Sequence, residues 1–213
     1  MALTFHGYWR ATAPYRVRIG LALKGLSYDY APVNLAAGEQ READYMRLNP
    51  QGLTPSLDAG EGPMTQSLAM LEWLEETHPE PPLLPSEPRD RQVVRAMAAI
   101  VACDIHPLNN LRVLKQLAAL GVSEADRQTW IGRWMAEGFS ALEPMIARHG
   151  DGFAFGATPT LADCCLVPQV YSAHRYVVDL SPYPALRAAA EHAQNHPAFV
   201  AAHPDRQPDA IQA

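Results

Sequence analysis

Cysteine is scarce in this chain, with three in 213 residues, two of them adjacent at Cys164-Cys165. An odd count without a CxxC pair excludes a disulfide framework and a dithiol redox centre, and it points to a reducing compartment. Long apolar runs are missing as well. The longest, residues 96–103, falls far short of the roughly 20 residues a bilayer-spanning helix needs. The first ten residues lack a basic start followed by an apolar stretch, so no signal peptide is expected. There is no excess of positive charge: 17 Lys and Arg stand against 23 Asp and Glu, for a net charge of −6. That balance removes the electrostatic ground for binding nucleic acid or an anionic membrane. The eight histidines are scattered along the chain, and no metal is predicted. Internal repeats and low-complexity segments are absent. What is left is a soluble, cytoplasmic globular protein.

What the chain does have is apolar material, 48% of residues against 19% charged, enough for one large core or two small ones. Its organisation changes once. Between Pro79 and Pro88, five of ten residues are proline. Proline fixes φ and lacks a donor, so this stretch continues neither a helix nor a central strand and reads as a linker. The expected division is therefore 1–78, a linker at 79–88, and 89–213.

Before the linker, strands and helices alternate: strands near 3–8, 28–35, 54–58 and 64–66, helices near 15–24 and 42–48 and from Ser67 onward. The second of these segments is ambiguous, because Tyr15, Val17, Ile19, Leu21 and Leu23 alternate as in a strand. Pro14 before it and Gly25 after it favour a helix. The order βαβαββα on a small mixed sheet is thioredoxin-like. After the linker everything reads helical: a long pattern over 89–120 broken only at Pro107, a helix capped near Ser123, another opened by Thr160-Leu-Ala-Asp163, one starting at Tyr183-Pro184, and a loose tail.

Nine short motifs, in order across both halves, resemble zeta-class glutathione S-transferases, the maleylacetoacetate and maleylpyruvate isomerase family. They are Tyr15-Arg-Val-Arg-Ile-Gly-Leu-Ala-Leu-Lys-Gly25, Leu48-Asn-Pro-Gln51, Thr54-Pro55, Gln66-Ser-Leu-Ala69, Leu74-Glu-Glu-Thr77, Cys103-Asp-Ile-His-Pro-Leu-Asn-Asn110, Thr160-Leu-Ala-Asp163, Leu166-Val-Pro-Gln-Val170 and Val178-Asp-Leu-Ser-Pro-Tyr-Pro184. The resemblance implies the glutathione transferase fold, glutathione as a cofactor that is not consumed, a small carboxylate substrate from aromatic catabolism, and a homodimer. It implies a reversible addition of the thiolate to a cis double bond conjugated with a carbonyl, rotation, and elimination. Two other readings stay open: a transferase or dehalogenase acting on small α-halo acids, and a glutathione-binding interaction module without catalysis.

The resemblance also assigns residues. Gln66 and Ser67, where a strand feeds a helix, would hold the γ-glutamyl carboxylate, since amides and a hydroxyl converge at a helix start; the plainer reading of Ser67 is an N-cap. Thr54, before a cis Pro55, would pair with the cysteinyl part, and Gln51 would reach the glycine end. His106 and Asn110 are further cofactor contacts. Arg10, Asn109, Arg112 and Arg175 belong to the substrate side, guanidinium groups being suited to bidentate carboxylate contacts. Judged from spacing alone, His106, Asn109 and Asn110 share one helix face. They either line a cleft or satisfy carbonyls freed by Pro107. The activating loop departs from its relatives: in Arg10-Ala-Thr-Ala-Pro14, alanine stands where a serine is expected, and only Thr12 keeps a hydroxyl. Thr12 and Arg10, with the helix dipole behind them, are the candidate catalytic groups. Asp163 is assigned to helix capping. The three cysteines, lying in apolar runs, are expected to be packed thiols.

Overall fold

A computed structural model describes residues 2–211. The chain divides into two compact units, one running to Leu83 and taking up the residues from His196 onward, the other spanning Leu84–Asn195. The break falls inside the proline-rich segment, between Leu83 and Leu84. Residues 196–211, expected with the helical half, group with the first unit instead.

The first unit opens with β1 (Leu3–Gly7), α1 (Thr12–Leu23) and β2 (Tyr28–Pro32), followed by the short α2 (Ala43–Leu48), β3 (Ser56–Asp58), β4 (Pro63–Thr65) and α3 (Ser67–Thr77). The strands lie in the order β2-β1-β3-β4, with β1 and β2 parallel and the other pairs antiparallel. Phe5 sits at the centre, in register with Tyr30 on one side and Leu57 on the other. This is the expected thioredoxin-like order.

The ambiguous segment is a helix, and the reason for the ambiguity is now visible. Every residue from Pro14 to Leu21 is buried, Arg16 and Arg18 included. The apolar residues alternate with arginines in a helix whose stretch from Pro14 to Leu21 is covered on all sides. Its end follows from Gly25: at φ 67° this residue lets the Leu26 amide reach Leu21 O at 2.9 Å and its own amide reach Ala22 O at 3.1 Å, a left-handed stop that glycine adopts without steric penalty. Close packing with α3 depends on Gly20, where a Cβ would meet Leu71 Cδ2 at 2.4 Å.

The start of the linker is not free. The Lys24 ammonium, fully buried, lies 2.9 Å from Glu75 Oε2 and donates to Pro81 O at 2.7 Å, while the Leu83 amide donates to the same Glu75 oxygen at 2.7 Å. One buried ion pair thus joins α1 to α3 and straps residues 81–83 to both.

The second unit is built from helices. Those are α4 (Pro88–Ala99), α5 (Leu111–Ala119), α6 (Glu124–His149), α7 (Leu161–Arg175) and α8 (Pro184–Gln194). The long helical pattern expected over 89–120, with its one break at Pro107, breaks earlier than expected. It ends at Ala99, continues as a π-helical turn over Ile100–Ile105 and a 3₁₀ turn over His106–Asn109, and restarts at Leu111. Pro107 removes a donor, and the wider π turn accommodates the change of pitch. Cys103 is exposed on that turn, whereas Cys164 and Cys165 are buried, so the expectation of three packed thiols holds only for the last two. The π turn is seated by Gly138 of α6, where a Cβ would lie 2.3 Å from Ile105.

Two carboxylates organise the rest of this unit. Glu143 of α6 accepts the Ala185 and Leu186 amides at 2.8 and 2.9 Å, capping α8 from outside its own sequence. Asp163, wholly buried, accepts from the Thr160 amide at 2.8 Å, the Thr160 hydroxyl at 2.9 Å and the Ala154 amide at 2.7 Å. The expected capping box is present and also ties down the preceding loop. Back in the first unit, α9 (Pro197–Ala202) packs on α1, with the turn at Pro204–Arg206 beyond it. No helix among the described residues is long and apolar enough to cross a membrane.

Two stability tests follow. Glu75→Gln leaves the Lys24 charge buried without its counter-charge and should cost about 3–5 kcal/mol in denaturant unfolding; a loss below 1 kcal/mol would show the pair to be dispensable. Burial pushes the Asp163 carboxyl up to about 6, against the pull of its hydrogen bonds. The native state therefore holds the extra proton between the ordinary carboxylate range and about 6. The stability this residue contributes should decline by about 3 kcal/mol as pH rises through that window. The lead of wild type over Asp163→Asn in unfolding free energy is expected to be larger at pH 5 than at pH 7.5.

Candidate active site

The first unit gathers most of the sequence-nominated residues around two helix starts. α1 begins at Thr12, with Ala11 as its N-cap, no capping side chain, and no acidic residue in its first turn. The helix thus starts two residues earlier than Pro14 suggests, and Ala11, Thr12 and Ala13 are its opening positions. A turn closed by the Ala11 amide on Tyr8 O, at 3.1 Å, delivers the chain from β1 to this point. Arg10 projects from the turn and is exposed, its guanidinium 5.4 Å from the centre of the Trp9 ring. The end of the macrodipole, roughly half a positive charge, is therefore left open beside one cation and one hydroxyl-bearing residue.

The second start is that of α3. Its N-cap, Gln66, has φ 68° and ψ 111° and makes no side-chain cap. A positive φ costs a non-glycine residue of order 1 kcal/mol or more and persists where surrounding structure imposes it. Here it turns the chain directly from β4 into the helix, so that the first amides of α3 and the Ser67 hydroxyl converge. The Gln66 side chain donates to Gln51 Oε1 at 2.7 Å, bringing together two residues nominated for opposite ends of one ligand. The loop below is held from behind: Asn49 Nδ2 and Tyr45 Oη both donate to Leu53 O at 2.7 Å. The Gln51 amide donates to Asn49 Oδ1 at 3.1 Å. The Thr54–Pro55 peptide is cis, as expected.

One residue missed in the sequence belongs with these. Arg16, 2% exposed, donates from Nη1 toward Ser67 Oγ at 3.4 Å, joining α1 to the start of α3. With its oxygen engaged as acceptor, the Ser67 hydroxyl has its own proton to offer a ligand. No local signal in the sequence marks it, because its position becomes internal only through the burial of α1 on every side.

The second unit holds the others. His106 and Asn109 lie on the 3₁₀ turn, anchored by the Trp130 indole donating to Leu108 O at 2.9 Å. The expected shared face with Asn110 is corrected: Asn110 has left the helix, at φ −66° and ψ 144°, and its Oδ1 accepts the Arg112 amide at 3.1 Å as the N-cap of α5. The Asn109 amide is buried at both oxygen and nitrogen without a hydrogen-bond partner, a costly state that a polar ligand would relieve. Arg112 is exposed on α5; Arg175 is exposed at the end of α7, over the rings of Tyr171 and Tyr176 at 6.0 and 5.5 Å.

Sequence reading passed over one HxxxH spacing, His192 to His196. The structure separates its members by role: His192 packs edge-on against Phe153 at 4.8 Å, and His196 Nδ1 accepts the Ala198 amide at 3.3 Å. Among the described residues no group of His, Cys, Asp or Glu is arranged to hold a metal ion.

Comparison with known proteins places this geometry. Residues 13–77 match the glutathione S-transferase N-terminal domain and residues 128–192 the C-terminal domain. A maleylpyruvate isomerase from Ralstonia sp. is 47% identical over 211 residues, covering 97% of this chain and 99% of that protein. The holo structure of a maleylpyruvate isomerase, a bacterial glutathione S-transferase of the zeta class, superposes with a TM-score of 0.96 at 46% identity, covering 98% and 100% of the two chains. A maleylacetoacetate isomerase from Anaeromyxobacter dehalogenans, with GSH bound in its active site, gives 0.90 at 44% identity, covering 99% and 98%. The chain belongs to the glutathione S-transferase family, within its zeta class.

Proposed function

We propose that this protein is a glutathione-dependent cis-trans isomerase of a maleylpyruvate- or maleylacetoacetate-like keto dicarboxylic acid, cytoplasmic and homodimeric, acting in the breakdown of aromatic compounds. The observation that carries the reading is the pair of uncapped helix starts in one unit, at Thr12 and at Ser67, joined by Arg16. One is suited to a thiolate and the other to a carboxylate, the two anionic groups of a γ-glutamyl thiol peptide that need separate stabilisation. The relatives named above are isomerases of this type, and one of them carries GSH.

Bound glutathione supplies the thiol whose reversible addition to the conjugated double bond leaves a single bond free to rotate. This chain's own residues do the rest. The first amides of α3 and the Ser67 hydroxyl hold the γ-glutamyl carboxylate, Thr54 the cysteinyl backbone, and Gln51, in contact with Gln66, the glycine end. Ala11 offers the sulfur no hydroxyl, so stabilisation falls to the open end of α1, to Thr12 and to the Arg10 charge. A free thiol titrates near 8.5, and such surroundings lower that value. Arg10, Arg112, Arg175 and Asn109 serve the substrate carboxylates and the oxygen on which charge develops, where preformed donors lower the barrier. His106 and Asn110 contribute cofactor contacts, Asn110 through the nitrogen its capping role does not use.

A difference spectrum of bound thiolate, titrated against pH, tests the sulfur side. Wild type should show a thiol pKa below the free value, and Thr12→Ala should raise it by about one unit, a tenfold loss of thiolate below both values. Maleylpyruvate and maleylacetoacetate should then isomerise with glutathione recovered; net consumption of glutathione would indicate a transferase or dehalogenase instead. Binding without any thiolate at neutral pH would sink the mechanism. On the carboxylate side, Ser67→Ala should weaken glutathione binding about tenfold, the loss of one charge-assisted hydrogen bond. Binding of the dipeptide Cys-Gly, which has no γ-glutamyl end, should be unaffected.

A further inference from the structure

Asp209, within the last ten residues that were expected as a loose tail, grips the backbone of the sulfur-side loop. The Trp9 amide donates to Asp209 Oδ2 at 3.0 Å, and the Trp9 carbonyl accepts from Arg18 Nη2 at 2.7 Å. Both polar groups of the residue just before Arg10-Ala-Thr12 are therefore held, one by the C-terminal segment and one by α1. The two holds are themselves coupled. Arg18, 1% exposed, donates from Nε to Ala202 O at 3.0 Å, at the end of α9. Its guanidinium lies 5.3 Å from the centre of the Tyr15 ring, and Asp209 contributes to its electrostatic environment together with Tyr15, Tyr28 and Tyr30. The second Asp209 oxygen is buried beside the buried Tyr30 hydroxyl, which burial first and this carboxylate second push above the ordinary tyrosine range. A buried guanidinium without its partners is strongly destabilising, so the Trp9 peptide, held by Asp209 and by Arg18, and the α9 carbonyl, held by Arg18, form one connected set.

We propose that this set is a clamp on the activating loop, with Asp209 a positioning residue: by holding the Trp9 peptide, the C-terminal segment fixes Arg10, Ala11 and Thr12 at the start of α1 and so sets the ionisation of the bound thiol. The proposal rests on the reading of this loop as the sulfur site. The carboxylate side of the site, at Gln66 and Ser67, makes no contact with Asp209 and should be indifferent to it. Sub-ångström placement matters here because stabilisation of a thiolate by donors and a helix end falls off within the first turn.

The test compares wild type, Asp209→Ala and Asp209→Asn, the last retaining an oxygen for the Trp9 amide. Three quantities are read: the pKa of bound glutathione thiol by difference absorbance, the affinity for S-methylglutathione, which has no thiol to ionise, and amide hydrogen exchange over residues 8–13 without ligand. Asp209→Ala should raise the thiol pKa by about one unit, speed exchange over residues 8–13, and change S-methylglutathione affinity by less than about twofold. Asp209→Asn should recover most of the pKa. An unchanged thiol pKa in Asp209→Ala overturns the proposal, as does an equal loss in thiol pKa and S-methylglutathione affinity in both variants, the pattern of general destabilisation. If wild type itself shows no bound thiolate, it is the sulfur-site reading that fails, and the proposal falls with it. Hydrogen exchange then still separates the cases: faster exchange in Asp209→Ala leaves a purely structural clamp, and unchanged exchange removes the clamp as well.

Discussion

A single buried guanidinium constrains more of the first unit than any other group. Arg18 stands in the middle of a helix that is covered on every side, where burying an ionised side chain is costly unless it is paired; its Nε and Nη2 are engaged, while Nη1 is buried without a hydrogen-bond partner. The groups it engages, Trp9 O and Ala202 O, come from opposite ends of the chain. α1, the loop before it and the last helix must therefore dock together or leave a charge stranded. The docking of α9, the burial of Trp9 and the course of the chain into Thr12 all follow from satisfying that one side chain.

The helix starts show how the same physics serves folding and function. α5, α6 and α9 begin with Asn110, Ser123 and His196, whose side chains accept first-turn amides. α7 has its capping box and α8 the Glu143 carboxylate. α2 and α4 start under Glu42 and Glu87 without a side-chain cap, but with an acidic residue in the first turn, Asp44 and Asp90. α1 and α3 have neither, under Ala11 and Gln66, although a cap contributes about 1 kcal/mol. Both sit in the unit built around the sheet, and the strained Gln66 backbone adds to the cost at α3. Stability relinquished at these positions leaves amide groups and dipole ends for an anionic ligand. Elsewhere in the molecule, buried pairs such as Lys24 with Glu75 and the well-packed helices of the second unit offset the loss.

How much of this was legible differs from residue to residue. The sheet order, the linker, the glycine stop of α1 and the capping box at Thr160 are local features, written in proline, glycine and capping residues that act within a turn of where they stand. The loop Arg10-Ala-Thr-Ala-Pro14 could be read as unusual because one hydroxyl survived in it. Asn110 could not be read correctly: helical spacing put it beside His106, but Pro107 and the π turn change the pitch, and the residue became a cap. Cys103 came out on the surface for the same reason. Arg16 and Asp209 were invisible, since each draws its meaning from a partner about fifty and two hundred positions away, respectively.

By itself the sequence determined which segments become strands and helices, and that hydroxyls, amides and arginines are available for a carboxylate-bearing thiol, because propensity, capping and turn chemistry operate over a few residues. Only the tertiary structure decided that residues 196–211 return to the first unit, that Arg16 backs Ser67, and that Asp209 holds the Trp9 peptide. Those outcomes depend on satisfying buried polar groups, and a buried group takes whichever partner the whole fold brings within reach.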